Sequence, residues 1–243
     1  MKSFVIKAIS TVSFAVAGLA ALGMASSAKA GFITQDLSSI ANSSITTYTN
    51  GGNYPPAGMT TLAGIPFLFA NDGSGSANVV GGLASLGTPA NYIIPGLNIP
   101  NVTSMIAIIN SAFGICGTDV GSIGAQSGGS SSTTTLTEGT NVRDHLNDGT
   151  FCGTQTEAIA TVNFGDDAIY DIYEFDLAAL TLGGANPITQ FNFNTDGQGI
   201  GGEPFLAALT FVTNEVPEPG TLTLFVIALG GLVLMMRRRR KAA

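Results

Sequence analysis

Short blocks of apolar and polar residues fill the middle of this chain, and a longer apolar run stands near each end. The blocks over 61–70, 104–110, 132–137, 158–164, 169–177, 188–194 and 204–213 have strand length and strand composition. Turn signals fall between them at Asn71-Asp72-Gly73, Asn147-Asp148-Gly149, Asp196-Gly197 and Gly201-Gly202. Alternation in the last strand puts Phe205, Ala207, Leu209 and Phe211 on one face and Leu206, Ala208 and Val212 on the other. Both faces are apolar, which predicts a strand buried in the middle of a sheet. No long stretch has helical periodicity; the pattern admits one short helix over 35–43. Residues 51–56 read as a loop, and the Gly/Ser-rich 124–132 as an exposed flexible loop. Many short strands with Gly-rich turns predict an all-β fold, a sandwich or a barrel.

The ends carry a different message. Lys2 and Lys7 precede an apolar run over 8–24, and Ala28-Lys29-Ala30 supplies small residues at both positions a signal peptidase requires. Cleavage before Gly31 is expected, so residues 1–30 form a signal peptide; the competing reading is a retained N-terminal anchor. At the other end an apolar run over 222–236 is followed by Arg237, Arg238, Arg239, Arg240 and Lys241. Fifteen residues are fewer than the ~20 of a straight transmembrane helix. Long arginine stems reach toward the headgroups and make up the difference. The basic cluster holds its end on the cytoplasmic side of the membrane, leaving the main domain outside. Val216-Pro217-Glu218-Pro219 breaks secondary structure just before the span and stays accessible to a protease.

A proline-flanked glutamate, a short apolar span and a terminal arginine cluster, in that order, resemble the PEP-CTERM sorting signal. The resemblance implies recognition by exosortase, a membrane-embedded transpeptidase-like enzyme of Gram-negative bacteria that make extracellular polysaccharide. It implies export, transient anchoring in the inner membrane, processing near Pro217-Glu218-Pro219, and delivery to the cell surface or extracellular matrix. A plain single-pass tail anchor is the alternative.

Charge changes once the ends are set aside. Of nine Lys and Arg, three precede residue 31 and five follow residue 236, leaving Arg143. Of sixteen Asp and Glu, only Glu218 lies outside 31–215. The payload therefore holds fifteen acids against one base, a net charge of −14, where the whole chain carries −7. Such a domain repels nucleic acid and acidic polymers, so nucleic-acid binding is excluded. Cys116 and Cys152, the two cysteines, both fall in the exported part, where an oxidising compartment favours a disulfide closing a 37-residue loop. One His and two Cys lack the spacing of a zinc site, and a Cys152–His145 nucleophilic pair has no third orienting group in a known pattern. No G-x-S-x-G, H-E-x-x-H or Walker loop is present.

A second set of segments occurs in one order: Gly64-Ile65-Pro66-Phe67, Ile108 to Gly114, Glu138 to His145, Glu174-Phe175-Asp176-Leu177 and Pro204 to Thr210. Over 60–213 this resembles the galactose-binding-like, NPCBM-related jelly-roll sandwich of secreted bacterial proteins and glycosidase modules. Where that family often has Trp this chain has Phe113, and it has no Trp anywhere. The expected layout is a signal peptide over 1–30, a polar segment over 31–59, a β-sandwich over 60–215 and the sorting signal over 216–243 with its membrane helix at 222–236.

Within the sandwich, two readings of Arg143 stand side by side. As the only base it pairs with Asp144, Asp171 or Glu174 and pins a loop to the sheet; alternatively Arg143 and His145, with Phe113, rim a sugar pocket. Asp166, Asp167, Asp171, Glu174 and Asp176 form an acidic run, either a solvated edge or paired glycosidase carboxylates. Asn194 and Asp196 place oxygen donors at alternate positions, a calcium site or an ordinary Asp-Gly turn. No cofactor is otherwise expected. The functional expectation is a non-enzymatic surface or matrix protein, structural or adhesive in an exopolysaccharide or biofilm layer. A specific carbohydrate-binding module and a glycan hydrolase are the rivals.

Overall fold

The structure is a computed structural model that describes residues 30–44, 53–71, 77–82, 87–146, 149–165, 167–197 and 201–214. These belong to one compact unit, Ala30–Asn214. The signal-peptide residues through Ala28, the sorting residues Val216, Pro217, Glu218 and Pro219, the span 222–236 and Arg237, Arg238, Arg239 and Arg240 lie outside the described residues. Among the described residues no helix is long and apolar enough to cross a membrane.

The strands, in chain order, are β1 (Ala30–Gln35), β2 (Ser43–Ser44), β3 (Gly58–Leu62), β4 (Ile65–Asn71), β5 (Ala77–Gly81), β6 (Ala90–Ile99), β7 (Val102–Ala112), β8 (Asp119–Ser127), β9 (Ser130–Thr137), β10 (Ala160–Asn163), β11 (Ile169–Asp176), β12 (Ile188–Thr195) and β13 (Glu203–Asn214). Two antiparallel sheets form. The larger runs β10-β11-β7-β13-β5-β4-β3, with β1 added to β13 and β2 to β5; the smaller runs β6-β12-β8-β9. The expected all-β sandwich is the fold.

The sheets share a core. Phe191 and Phe193 of β12, Ile123 of β8 and Leu136 of β9 meet Met105 and Ile109 of β7, Tyr173 of β11 and Leu206, Leu209 and Phe211 of β13. A second cluster lies on the other face of the larger sheet. There Phe67 and Phe69 of β4 and Leu62 of β3 cover Ile106, Ile108, Tyr170, Ile172 and Phe205. The Thr210 hydroxyl donates to the Pro66 carbonyl at 2.6 Å and ties that cover to β13. Burial on both faces explains why β13 is apolar throughout, and its place between β7 and β1/β5 matches the expected central strand.

Several expectations are corrected. A bulge at Ala207 shifts the β13 register, so Leu206 joins Leu209 and Phe211 on the inter-sheet face while Phe205 and Ala208 face the second cluster. The expected strand over 61–70 is a hairpin that reverses at Ala63-Gly64, both with positive φ. Residues 124–132 are not a flexible loop. They are the heart of the β8–β9 hairpin, where Gly128 (φ 56°) and Gly129 (φ 83°) make a two-residue turn that β-carbon-bearing residues rarely adopt. The helix over 35–43 is reduced to one turn in which the Leu37 carbonyl accepts from the Ile40 and Ala41 amides. The polar segment 31–59 is not separate from the sandwich, because β1 pairs along β13 from Ala30↔Asn214 to Gln35↔Leu209.

Candidate functional site

The residues singled out by the sequence converge where β7 ends and the 113–118, 138–146 and 149–154 segments cross. The segment from Arg143 to His145 runs parallel to the last residues of β7. The Ser111 amide donates to the Arg143 carbonyl, and the His145 amide donates to the Ser111 carbonyl, both at 2.9 Å. Arg143 lies behind this crossing. Its Nε and Nη2 form a fork on Asp171, at 2.6 Å to Oδ2 and 3.0 Å to Oδ1. Nη1 donates to the Gly153 carbonyl at 2.7 Å and Nη2 to Thr161 Oγ1 at 3.2 Å. Asp171 is fully buried and also accepts from Asn110 Nδ2 and the Thr161 hydroxyl. Hydrogen bonding to Asp171 holds the guanidinium pKa above its ordinary value, against the opposing effect of burial.

The pairing reading of Arg143 therefore describes its place, with Asp171 as the partner. Its fork joins β11, β10 and the backbone beside Cys152, and its side chain is only 11% exposed. His145 is also buried. Its Nδ1 donates to the Ser111 carbonyl at 3.0 Å, and its ring stands edge-on to Phe205. Both side chains are turned inward onto protein partners, and neither lines the surface depression formed by 114–116 and 150–152. Alternation along an extended segment does not reveal that both sides are covered by neighbours.

Phe113 does reach the surface, 37% exposed. Its backbone is left-handed (φ 65°), a strained conformation for a bulky residue, and its amide donates to Asp144 Oδ2 at 2.7 Å. Its ring packs edge-to-face on Phe151, with centroids 5.3 Å apart. The disulfide Cys116–Cys152 brings the two loops together. The Cys152 amide donates to the Gly114 carbonyl and the Asp144 amide to the Cys152 carbonyl, so the loops are also stitched through their backbones. A shallow depression of about 380 Å³, lined by Gly114, Ile115, Cys116, Thr150, Phe151 and Cys152, opens here. Sequence reasoning missed Phe151 and Ile115. The available signal was covalent: Phe151 and Ile115 each adjoin a cysteine, so the disulfide places them together.

Beneath this rim lies Glu138, 1% exposed. Its carboxyl packs so closely on Gly114 and Gly202 that a β-carbon on either would come within 2.3 Å or 2.5 Å of it. Among the described residues neither carboxyl oxygen has a hydrogen bond of good geometry, and the nearby Ser111 hydroxyl is a weak polar neighbour. Desolvation, together with the nearby Asp144 charge, pushes its pKa up to about 8 despite an opposing contribution from Ser111.

Among the described residues the acidic run does not converge. Asp166 lies outside the described residues. Asp171 faces Thr161 and Arg143, whereas Glu174 accepts from Ser104 on the opposite face of β11 and Asp176 caps the Ala178 amide. At the other candidate site the Asn194 amide donates to Ser122 Oγ at 3.0 Å, and the Asp196 backbone amide donates to the Val120 carbonyl. Among the described residues no three His, Cys, Asp or Glu side chains are grouped to hold a metal ion. Ala30 and Gly31, which flank the expected cleavage point, are the first two residues of β1.

Comparison with known proteins is informative at the C-terminus. Residues 215–240 match the PEP-CTERM protein-sorting motif. The chain carries the tail on which exosortase acts, and it is an exported protein anchored transiently in the membrane before processing. No curated protein and no solved structure matches the chain.

Proposed function

We propose that the sandwich is a non-enzymatic structural or adhesive component of a polysaccharide-rich layer outside the cell, a surface or biofilm-matrix protein. The observation that carries this reading is the sorting motif at 215–240 beginning directly after a compact unit that ends at Asn214. That arrangement lets signal peptidase and exosortase remove both ends and leave a whole domain. The payload's net charge of −14 keeps it soluble and apart from anionic surfaces. Fractionation of producing cells tests the proposal. The protein is expected with the extracellular polysaccharide and to be released when that polymer is digested; retention in the periplasm contradicts it.

A second reading, a specific carbohydrate-binding module of galactose-binding-like type, is favoured by the exposed Phe113 and the half-buried Phe151 packed against it, an aromatic pair of the kind that meets the C–H face of a sugar. A glycan array run with and without Ca²⁺ separates the two. A few defined glycans, lost on Phe113→Ala, support the module; uniform weak binding supports the matrix role.

A further inference from the structure

We propose that the outer face of the smaller sheet is a docking surface for a neutral polysaccharide chain, an inference that rests on residence of the protein in a polysaccharide layer. Strand β12 lies inside that sheet and, beyond a bulge between Ile188 and Gln190, alternates regularly. Phe191 and Phe193 point into the core, and Gln190, Asn192 and Asn194 occupy the outer face, half-buried. The register lines up their neighbours. Asn194 lies opposite Ser122 and Gln190 opposite Gln126 on β8. Asn192 lies opposite Gly124, which in turn pairs with the exposed Thr133 of β9. A β-carbon on Gly124 would run into the Ser132 carbonyl and the Thr133 hydroxyl, so β9 closes over the place where a side chain would otherwise stand and leaves that hydroxyl beside Asn192's neighbour.

The chemistry of this face is uniform. Amides and hydroxyls each donate and accept, as sugar hydroxyls do, whereas a carboxylate only accepts and an ammonium only donates. The amides are held in place before any ligand arrives: Gln190 Nε2 donates to Asn192 Oδ1 at 2.6 Å, and Asn194 Nδ2 donates to Ser122 Oγ at 3.0 Å. Each amide has further donor or acceptor positions beyond those contacts, and holding them in advance reduces the ordering cost of binding. Across from Asn192, the exposed Ile93 of β6 offers an apolar step for a sugar's C–H face.

Charge selects the ligand class. The strands β6, β9 and β12 contain no charged residue, and β8 contains only Asp119 at its first position, where it accepts from the Thr137 hydroxyl at 2.6 Å. This neutrality occurs in a payload of fifteen acids and one base. An anionic polymer is repelled by the domain, and a cationic one finds no acids on the face. A neutral polyhydroxylated chain meets neither obstacle.

Native gels cast with dextran, hydroxyethylcellulose or the polyanion alginate test the proposal on the exported protein purified from producing cells. The wild-type protein is expected to be slowed by a neutral polymer and not by alginate. Asn192→Asp combined with Thr133→Glu is expected to weaken that retardation at least tenfold, and Gln190→Glu alone gives an independent variant should the double variant unfold. Phe113→Ala should be slowed like wild type. Retardation unchanged in the charged variants, lost in Phe113→Ala, or absent from both neutral gels overturns the inference. So does a sedimenting dimer that the charged variants convert to monomer, which makes the face a contact between copies. Each of these results leaves the fractionation test of the matrix role standing, and periplasmic retention removes that role whatever the gels show.

Discussion

Arg143 has an acceptor for each of its three nitrogens inside the fold, and the loop carrying Cys152 depends on it. Replacing it by Ala leaves Asp171 buried without its counter-charge, and stability should fall by about 3 kcal/mol in urea titration. Unchanged stability with lost glycan binding would instead return Arg143 to the surface rim. Glu138 makes a second prediction. Its pKa rises from an ordinary 4.5 to about 8 in the fold, so the folded state binds the proton more tightly than the unfolded state. Its stabilising effect is therefore complete below about pH 4.5 and is lost as pH rises through about 8. Melting temperature should fall across that window, and Glu138→Gln should flatten the fall; an identical slope in the variant contradicts the assignment. At this scale the sequence was partly legible. A sole base among acids had to be paired, and Asp171 was among the three partners it named. The burial of Glu138 was hidden, because it depends on Gly114 and Gly202 closing over it from two other segments.

Among the elements, legibility followed side-chain pattern. Strands β7, β9, β11, β12 and β13 announce themselves through apolar or β-branched runs. Strands β6 and β8 do not, because Pro95, Gly96, Gly121 and Gly124 imitate loop composition and only pairing with β12 makes them strands. The β13 faces were misassigned because one bulged residue inverts the alternation beyond it. The cysteine pair was legible from compartment alone, and the structure closes it. Reduction should lower stability by roughly 3–4 kcal/mol, the chain-entropy estimate for a loop of this separation. It should also loosen the Phe113–Phe151 contact, so dithiothreitol must shift the melting temperature; no shift contradicts a structural role for the bridge.

For the whole molecule, the address was more legible than the task. A tail motif is local, and residues 215–240 state it in consecutive positions. The outer face of the smaller sheet is assembled from four strands 90–195 residues along the chain, and no single segment displays it. The compact unit begins and ends at paired residues, Ala30 opposite Asn214, so cleavage before Gly31 and beyond Asn214 cuts the chain at the margin of the sheet and takes only the first residue of β1. Intact-mass measurement of the protein recovered outside the cell tests this account most directly. The account predicts a polypeptide beginning at Gly31 and lacking Arg237–Arg240. Recovery of a chain that retains Met1 and the arginine tail, in the cytoplasmic fraction, would contradict it.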